Sequence, residues 1–355
     1  MTKNNEHKNL NVPDLRFPEF SGEWVETELQ DIVPNICSGK DRISNSGEVA
    51  LYGSTGVIGR TNSASYKENI VLVARVGANA GQMQIGNAPC GVTDNTLVID
   101  AKEWNYYIYY FLQHYNLNRL VFGSGQPLIT GGMLKRIKVR YGCKAERNNI
   151  TRLLCLIDER IATQNKIIEK LQSLIKGIRN NMMIQNQGDY IALQDIADIY
   201  QPKTILSTDL TEDGYLVYGA NGIIGKYHLY NHEKEQICIT CRGNTCGTVN
   251  YTEPKSWITG NAMVINTDNF AENVNKRYLF HYLSSINFNS IISGSGQPQI
   301  VRQPLAKLKI ILPELTIQEH IAKCLDTILA KIKNEQTSLQ AIQIQKSYLL
   351  SQMFI

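Results

Sequence analysis

The chain has 355 residues, of which 43% are hydrophobic, and it carries a formal net charge of +4. This length and apolar content suffice for two ordinary domains with hydrophobic cores, so a disordered chain is not expected. The charge is too mild to demand a nucleic-acid partner and not acidic enough to exclude one. No apolar run approaches the roughly 18 residues of a transmembrane helix. The eight cysteines occur without a secretory leader, so we expect a cytoplasmic protein with reduced thiols.

The first half of the sequence recurs in the second half, and this repeat predicts the architecture. The decapeptide LYGSTGVIGR (51–60) returns as VYGANGIIGK (217–226), 166 residues later and with five identical letters. Runs of Val, Ile and Tyr between glycines predict short strands joined by turns in both copies. The further matched segments are LQDI at 29–32 and 193–196, RVGANAG at 75–81 with CRGNTCG at 241–247, and TDNTLVI at 93–99 with TGNAMVI at 259–265.

One helix per copy is predicted after these strands, over 103–120 and 275–288, where apolar residues recur at helical spacing. The offset between the copies becomes 171 here, which implies an insertion of five residues in the second copy. We interpret the aromatic residues of both helices as core, with a base-stacking platform as the alternative. A GSGQP motif follows at 123–127 and 294–298. Each copy is therefore predicted to be a compact α+β unit of about 120–140 residues.

A long amphipathic helix follows each unit, and its apolar residues alternate in steps of four and three, as in a coiled coil. We expect the two helices to form an intramolecular antiparallel coiled coil about a pseudo-two-fold axis. Gln164 and Glu335 then either meet in a buried polar layer that fixes the register or extend to solvent. The predicted seam consists of Ile157, Ile161, Gln164, Ile168 and Leu171 in the first helix and Ile328, Ile332, Glu335, Leu339 and Ile342 in the second.

The predicted fold class is therefore α+β, with two similar α/β domains separated by two long helices. The predicted divisions of the chain are a first domain at 1–145, a first long helix at 146–187, a second domain at 188–313 and a second long helix at 314–355.

The one metal-like spacing of cysteines is Cys238, Cys241 and Cys246. The equivalent residues of the first copy cannot bind a metal, and no second Cys-x-x-Cys pair completes a tetrahedral site. We therefore expect buried free thiols, no metal and no cofactor. The sequence also lacks the aromatic tetrapeptide of methyltransferases, a phosphate-binding loop and a nuclease motif. No catalytic residue is predicted, and the function is expected to be non-catalytic.

The order of parts, the opening LRFPEFSGEW (15–24), the two GSGQP motifs and the closing SQMFI (351–355) resemble the DNA-specificity subunit of type I restriction-modification enzymes. In that family each globular unit is a target recognition domain that reads one half of a split DNA sequence. The resemblance implies double-stranded DNA and two methyltransferase (modification) subunits, specific for adenine, as partners. It also implies restriction and translocase subunits within the complex, and no membrane.

Two other functions stay open at this stage. The chain could be a stand-alone coiled-coil DNA-binding regulator or scaffold, which would need no methyltransferase. Enzyme activity hidden in the Cys238 region is a further alternative. Co-purification with modification subunits distinguishes the specificity subunit from the regulator.

Polar and basic residues in the glycine-rich segments are the candidate DNA contacts. Arginine and asparagine have the hydrogen-bonding groups that read guanine and adenine edges, while basic residues at strand ends can bind phosphate. Residues that differ between the copies suit unlike half-sites, and an ordinary turn or solvated loop is the alternative throughout. The candidates are Ser54, Thr55, Arg60, Arg75, Asn79 and Gln126 in the first copy and Ala220, Asn221, Lys226, Arg242, Asn244 and Gln297 in the second.

Within this set the expected roles differ. Arg60 and Lys226 are assigned to phosphate, and Gln126 and Gln297 to a hinge or to phosphate because they lie at the join between domain and helix. The densest basic cluster is a further phosphate candidate, with half-exposed strand charges as the alternative. It consists of Lys135, Arg136, Lys138 and Arg140, matched in the second copy by Lys307 and Lys309.

Overall fold

The chain folds into two compact units, each of which contains one copy of the repeat. The structure is a computed structural model, and it describes residues 11–121, 127–185, 189–220, 222–294 and 296–355. The first unit comprises Met1–Asn165 and Thr337–Ile355, and the second comprises Lys166–Gln336. Each unit therefore includes one half of each long helix.

The first unit begins with nine short strands and three helices and ends in a long helix. They are, in chain order, β1 (Val25–Glu28), α1 (Leu29–Ile32), β2 (Ile36–Ser38), β3 (Val49–Gly53), β4 (Gly56–Thr61), β5 (Ile70–Ala74), β6 (Met83–Gly86), β7 (Cys90–Val92), β8 (Thr96–Ile99), α2 (Asn105–Tyr115), α3 (Gly131–Lys135), β9 (Lys138–Tyr141) and α4 (Lys144–Gln185).

Strand β5 is the centre of the first unit because all five of its residues are apolar and buried. It lies in an antiparallel four-stranded sheet with the order β2-β8-β5-β6. Val71 and Val73 on one face pack into the core that includes helix α2. Ile70 and Leu72 on the other face pack against Tyr52 of the three-stranded sheet β4-β3-β7, in which β3 and β7 run parallel. The unit thus has a helix layer and two sheet layers, with β1 and β9 paired beside them.

The second unit repeats this topology strand for strand. Its elements are β10 (Asp189–Ala192), β11 (Asp198–Tyr200), β12 (Tyr215–Gly219), β13 (Gly222–Tyr227), β14 (Ile237–Thr240), β15 (Val249–Tyr251), β16 (Trp257–Ile258), β17 (Ala262–Asn266), α5 (Lys276–Leu283), α6 (Arg302–Ala306), β18 (Lys309–Leu312) and α7 (Leu315–Met353). The four-stranded sheet has the order β11-β17-β14-β15, the three-stranded sheet β13-β12-β16, and β10 pairs with β18. The predicted fold class of two similar mixed α/β units is confirmed.

The helix predicted in each copy is shorter than the sequence pattern suggests. Helix α2 ends at Tyr115 because Asn116 adopts a left-handed conformation (φ 59°), and a 3-10 turn completes the segment. Helix α5 ends at Leu283, again before a 3-10 turn. The interpretation of the aromatic residues as core is confirmed, since Tyr107 and Tyr278 are at most 2% exposed. Their hydroxyl groups donate to backbone carbonyls of the adjacent strands, so they form no base-stacking platform.

The two long helices run antiparallel within the first unit. Ile150 and Leu154 of α4 share a core with Met353 of α7. One turn further along α4, the Asp158 carboxylate accepts an ion-pair hydrogen bond from Lys346 at 2.7 Å, and Lys346 precedes Met353 in the chain. The C-terminal end of α7 is therefore fixed to the start of α4 by apolar packing and by one ion pair.

Burial along both helices follows the predicted seam. Between residues 161 and 178 every residue outside the heptad positions is exposed, while the seam residues are buried or half-buried. The same holds between 331 and 347 on α7. Gln164 is 9% exposed and the Glu335 side chain 14%, so neither polar residue extends to solvent. Their mutual pairing stays a prediction. Among the described residues, no helix combines the length and apolarity needed to cross a bilayer.

Candidate nucleic-acid interface

The repeated decapeptide forms a β-hairpin in each unit. Strands β3 and β4 pair with a register shift after Leu51, and β12 and β13 do so after Val217. Gly56 (φ +123°) and Gly222 (φ +80°) adopt conformations that favour glycine at the two tips. A Cβ atom on Gly53 would lie 3.0 Å from the Ile58 side chain, so the hairpin tip leaves little room for a larger residue there. The repeated glycines are therefore explained by the geometry of the tip.

The second glycine-rich segment forms a tight loop beside this hairpin. Gly77 and Gly81 have φ values of +80° and +91°, and Gly243 and Gly247 have +85° and +91°. In the first unit the Gly77 N–H donates to the Pro127 carbonyl, and in the second the Gly243 N–H donates to the Pro298 carbonyl, both at 3.0 Å. The prolines that close the two GSGQP motifs therefore hold this loop in place.

In the first unit the hairpin tip meets the loop at one carbonyl group. The Asn95 carbonyl accepts the Arg75 N–H at 3.0 Å and the Ser54 hydroxyl at 3.1 Å. In the second unit the Ala220 carbonyl at the tip accepts the hydroxyls of Thr240 and Thr245 at 2.6 and 2.9 Å. The hairpin tip and the glycine-rich loop are thus brought together in each unit.

The predicted base-reading side chains differ in exposure between the two units. Arg75 is half-buried and donates through Nη1 to the Ser38 hydroxyl at 3.2 Å, and Asn79 is also half-buried. Arg242 and Asn244 are both exposed. Each pair lies on the loop described above, so the structure does bring these four residues beside the hairpin tips.

The remaining candidates of the tips and hinges are placed as follows. Thr55 and Gln297 are exposed, and Ser54 and Ala220 are half-buried. Gln126 and Asn221 lie outside the described residues.

Arg60 and Lys226 lie apart from the tip and the loop. Each follows the tip glycine by four residues, which is about 13 Å along a strand. Arg60 donates through Nη1 to the Glu48 carbonyl at 2.7 Å, and the Lys226 ammonium is 3.7 Å from the Asp213 carboxylate. The assignment of these two residues to phosphate therefore has no support from their neighbours.

Two members of the basic cluster have an acidic partner on the adjacent strand. The Glu26 carboxylate of β1 accepts hydrogen bonds from Lys138 and Arg140 of β9, both at 2.8 Å. These two bonds, that from Lys138 first, hold the pKa of Glu26 below its ordinary value. The interpretation of Lys138 and Arg140 as strand charges therefore fits better than phosphate contact.

Two of the three cysteines with metal-like spacing are buried. Cys238 and Cys241 have no exposed surface, and Cys246 is half-buried. Burial raises the pKa of the Cys238 thiol to about 12, which makes it a poor nucleophile. Within the part of the chain that the structure describes, no group of His, Cys, Asp or Glu could hold a metal ion.

The residues that hold the two hairpin tips were not among the predicted site residues. Gln84 of β6 donates to the Gly53 carbonyl at 2.6 Å. In the second unit the hydroxyls of Thr240 and Thr245 donate to the tip carbonyl of Ala220. A signal was available, because these positions differ between the copies while the surrounding glycines do not.

Comparison with known sequences gives a consistent family. A putative type I restriction enzyme specificity subunit of Haemophilus influenzae is 29% identical over 150 residues, which cover 41% of this chain and 38% of that protein. The EcoprrI specificity subunit of Escherichia coli is 31% identical over 112 residues, or 32% of this chain and 27% of that one. The alignments thus span well under half of these two relatives. The MjaVIII specificity subunit of Methanocaldococcus jannaschii is 23% identical over 94% of this chain and 91% of its own.

Solved structures share the fold. The S subunit of a type I restriction-modification system from M. genitalium superposes with a TM-score of 0.75 at 17% identity, covering 97% of this chain and 99% of that one. A chain from a structural study of complex assembly and conformational transition of the type I system gives a TM-score of 0.52 at 13% identity, covering 96% and 99%. The model of the type I restriction modification DNA specificity domain matches twice, at residues 21–181 and 189–343. The chain therefore belongs to the family of type I restriction-modification DNA-specificity proteins.

Proposed function

We propose that the chain is the non-catalytic specificity subunit of a type I restriction-modification complex, and that each unit reads one half of a split DNA target. The observation that carries the proposal is the convergence, in both units, of a hairpin tip with a glycine-bounded loop that holds an arginine and an asparagine. The family match and the duplicated topology support it. Two units with the same fold suit a target of two parts, because each half of the duplex then has its own reader.

The chemistry of the two surfaces suits base recognition in the major groove. A guanidinium group can donate two hydrogen bonds to guanine, and an asparagine amide can pair with adenine. Arg242 and Asn244 have this chemistry in the second unit, and Arg75 and Asn79 have it in the first. At the tips, Ser54 and Thr55 are replaced by Ala220 and Asn221. The two units are therefore expected to read different half-sites.

The long helices are proposed to set the spacing of the half-sites and to bind two methyltransferase subunits. Helices α4 and α7 have 42 and 39 residues, so each is about 60 Å long at about 1.5 Å per residue. Several of their large apolar side chains are exposed, which is typical of a surface that a partner covers. They are Leu156, Ile167 and Leu174 on α4 and Ile317, Ile344 and Tyr348 on α7. Restriction and translocase subunits would join through the same complex, and a cytoplasmic location is expected.

A single substitution on the exposed loop of the second unit tests base reading. In the complex with modification subunits, Arg242→Ala should weaken binding of the cognate DNA about 5- to 150-fold, the equivalent of roughly 1–3 kcal/mol, and relax selectivity at one base pair. Fluorescence anisotropy with a panel of singly substituted duplexes measures both effects.

Lys234→Ala is the matched control, because it removes one positive charge from another exposed loop of the same unit. It should weaken all duplexes alike and only slightly. Equal effects of the two variants on every duplex would count against base reading by Arg242. Tight and selective binding by the chain alone, with no co-purifying modification subunit, would favour the regulator instead.

A further inference from the structure

The two hairpins pair with the same register shift, but their tips are held by different side chains. In the first unit Gln84, half-buried on β6, donates through Nε2 to the Gly53 carbonyl at 2.6 Å. In the second unit the tip is held one residue further along, where the Ala220 carbonyl accepts the hydroxyls of Thr240 and Thr245. The bonded carbonyl belongs to the tip itself in both cases, so these bonds fix the orientation of a peptide group that the tip presents.

Equivalent positions show that neither unit contains the other unit's anchor. Gln84 lies opposite Leu72 in the β5–β6 ladder, and Asn250 lies opposite Cys238 in the β14–β15 ladder. Leu72 and Cys238 are separated by the repeat offset, so Asn250 is the structural counterpart of Gln84. Its side chain is one methylene shorter. Among the described residues its amide nitrogen is buried and has no hydrogen-bond partner.

The reverse comparison gives the same result. Thr240 corresponds to Ala74 in the first copy, and Thr245 corresponds to Asn79. Alanine has no hydroxyl, so the first unit cannot repeat the bond from Thr240. The anchor has therefore changed from an amide on the edge strand in one unit to two hydroxyls around the glycine-bounded loop in the other.

We propose that Gln84 is the positioning residue of the DNA-reading tip in the first unit, and that Thr240 and Thr245 are its counterparts in the second. This inference rests on the proposed function. The hydrogen bond from the Gln84 side-chain amide fixes the orientation of the peptide group between Gly53 and Ser54. The orientation of that peptide group in turn sets the directions of the Ser54 and Thr55 side chains. A tip that is fixed before binding loses less conformational freedom on the DNA. Selectivity for each half-site is therefore set by its own anchor.

The test uses Gln84→Met, which keeps the length and shape of the side chain and removes the donor. The target is first mapped from methylated adenines, and the complex with modification subunits is then measured on duplexes substituted singly in either half-site. Gln84→Met should weaken binding about 3- to 10-fold, as expected for one neutral hydrogen bond. It should also reduce discrimination within one half-site only. The double variant Thr240→Val and Thr245→Val should do so within the other half-site.

Two controls separate positioning from stability and from the proposed function. Gln84→Glu keeps the shape but places a carboxylate beside the Gly53 carbonyl, so it should reduce discrimination in the same half-site as Gln84→Met, and more strongly. Unchanged discrimination in the Gln84→Met complex, with Arg242→Ala still altering its half-site, would overturn the positioning role and leave base reading intact. If Arg242→Ala also alters nothing, the proposed function and this inference fail together. Equal loss in both half-sites with a lowered melting temperature would identify Gln84 as merely structural.

Discussion

At the scale of single residues, the second unit contains a buried histidine whose charge state is fixed by its neighbours. The Arg179 guanidinium is 3.1 Å from Nδ1 of His281, and since arginine only donates, Nδ1 must accept. Nε2 therefore carries the proton and donates to the Asp326 carboxylate at 2.8 Å. Asp326 also forms an ion pair with Arg277. Burial lowers the pKa of His281 to about 4, although the hydrogen bond to Asp326 opposes this shift.

This arrangement predicts a stability that depends on pH. Unfolded His281 binds a proton below its ordinary pKa of about 6.5, while the folded form stays neutral down to about 4. The unfolded state thus binds more protons in this window, so the free energy of unfolding should rise with pH between 4 and 6.5. The rise should reach about 3 kcal/mol from this group. Urea unfolding of the full chain at a series of pH values measures it.

The variant His281→Gln removes the titrating group, so the slope of stability between pH 4.5 and 6.5 should flatten. His320→Gln replaces an exposed histidine of α7 and should leave the slope unchanged. An unaltered slope in His281→Gln would show that other groups, Asp326 foremost among them, determine the acid sensitivity of this unit.

At the scale of elements, the sequence predicts helices better than sheets, for a physical reason. The stretches that carry the heptad pattern lie within the long helices α4 and α7, because every turn of a coiled-coil helix repeats the same local signal. The repeat identified the strands but not the parallel pairing of β3 with β7, since such pairing depends on residues distant in the chain. Gln84 and Thr240 differ from their counterparts in the other copy, but their role as anchors depends on which carbonyl each side chain contacts in the fold.

The two polar residues of the predicted seam lead to a prediction about thermal stability. Gln164 and Glu335 interrupt otherwise apolar stripes and are nearly buried. Replacing both with leucine removes two nearly buried polar side chains from the seam, and exchange of buried polar groups for well-packed apolar ones often stabilises a protein, by about 1–4 kcal/mol. The double variant should therefore have a melting temperature several degrees higher, as measured by differential scanning calorimetry.

The control replaces the exposed neighbours Asn165 and Gln336 with leucine, which should not raise the melting temperature. A lower melting temperature for the Gln164 and Glu335 variant would contradict the idea that they serve to fix the register.

At the scale of the whole molecule, the chain contains one fold twice, and the two copies differ in the residues that matter for reading. The sheets have the same order and the same hairpin register shift, and the loop glycines have the same left-handed conformation. The differences lie at the tips, at their anchors and in the exposure of the loop arginines. A duplicated scaffold with separately changed tips is what independent recognition of two half-sites requires.

This independence predicts the outcome of a domain exchange. Replacing residues 22–145 with the first domain of another family member should change one half of the methylated motif and leave the other half and the spacer unchanged. The donor must retain the residues through which this domain contacts the helices of its own unit. Tyr107 packs on Phe354 with ring centroids 5.4 Å apart, and the Tyr110 hydroxyl donates to Asp158 at 2.8 Å. Single-molecule sequencing of methylated adenines in cells that express the chimera gives the motif directly.

A second chimera, in which phenylalanine replaces the donor's tyrosine at the position of Tyr110, lacks the hydrogen bond to Asp158 of α4. It should methylate the same new motif, but its first unit should be less stable. A change in both halves of the motif would show that the two units do not read DNA separately.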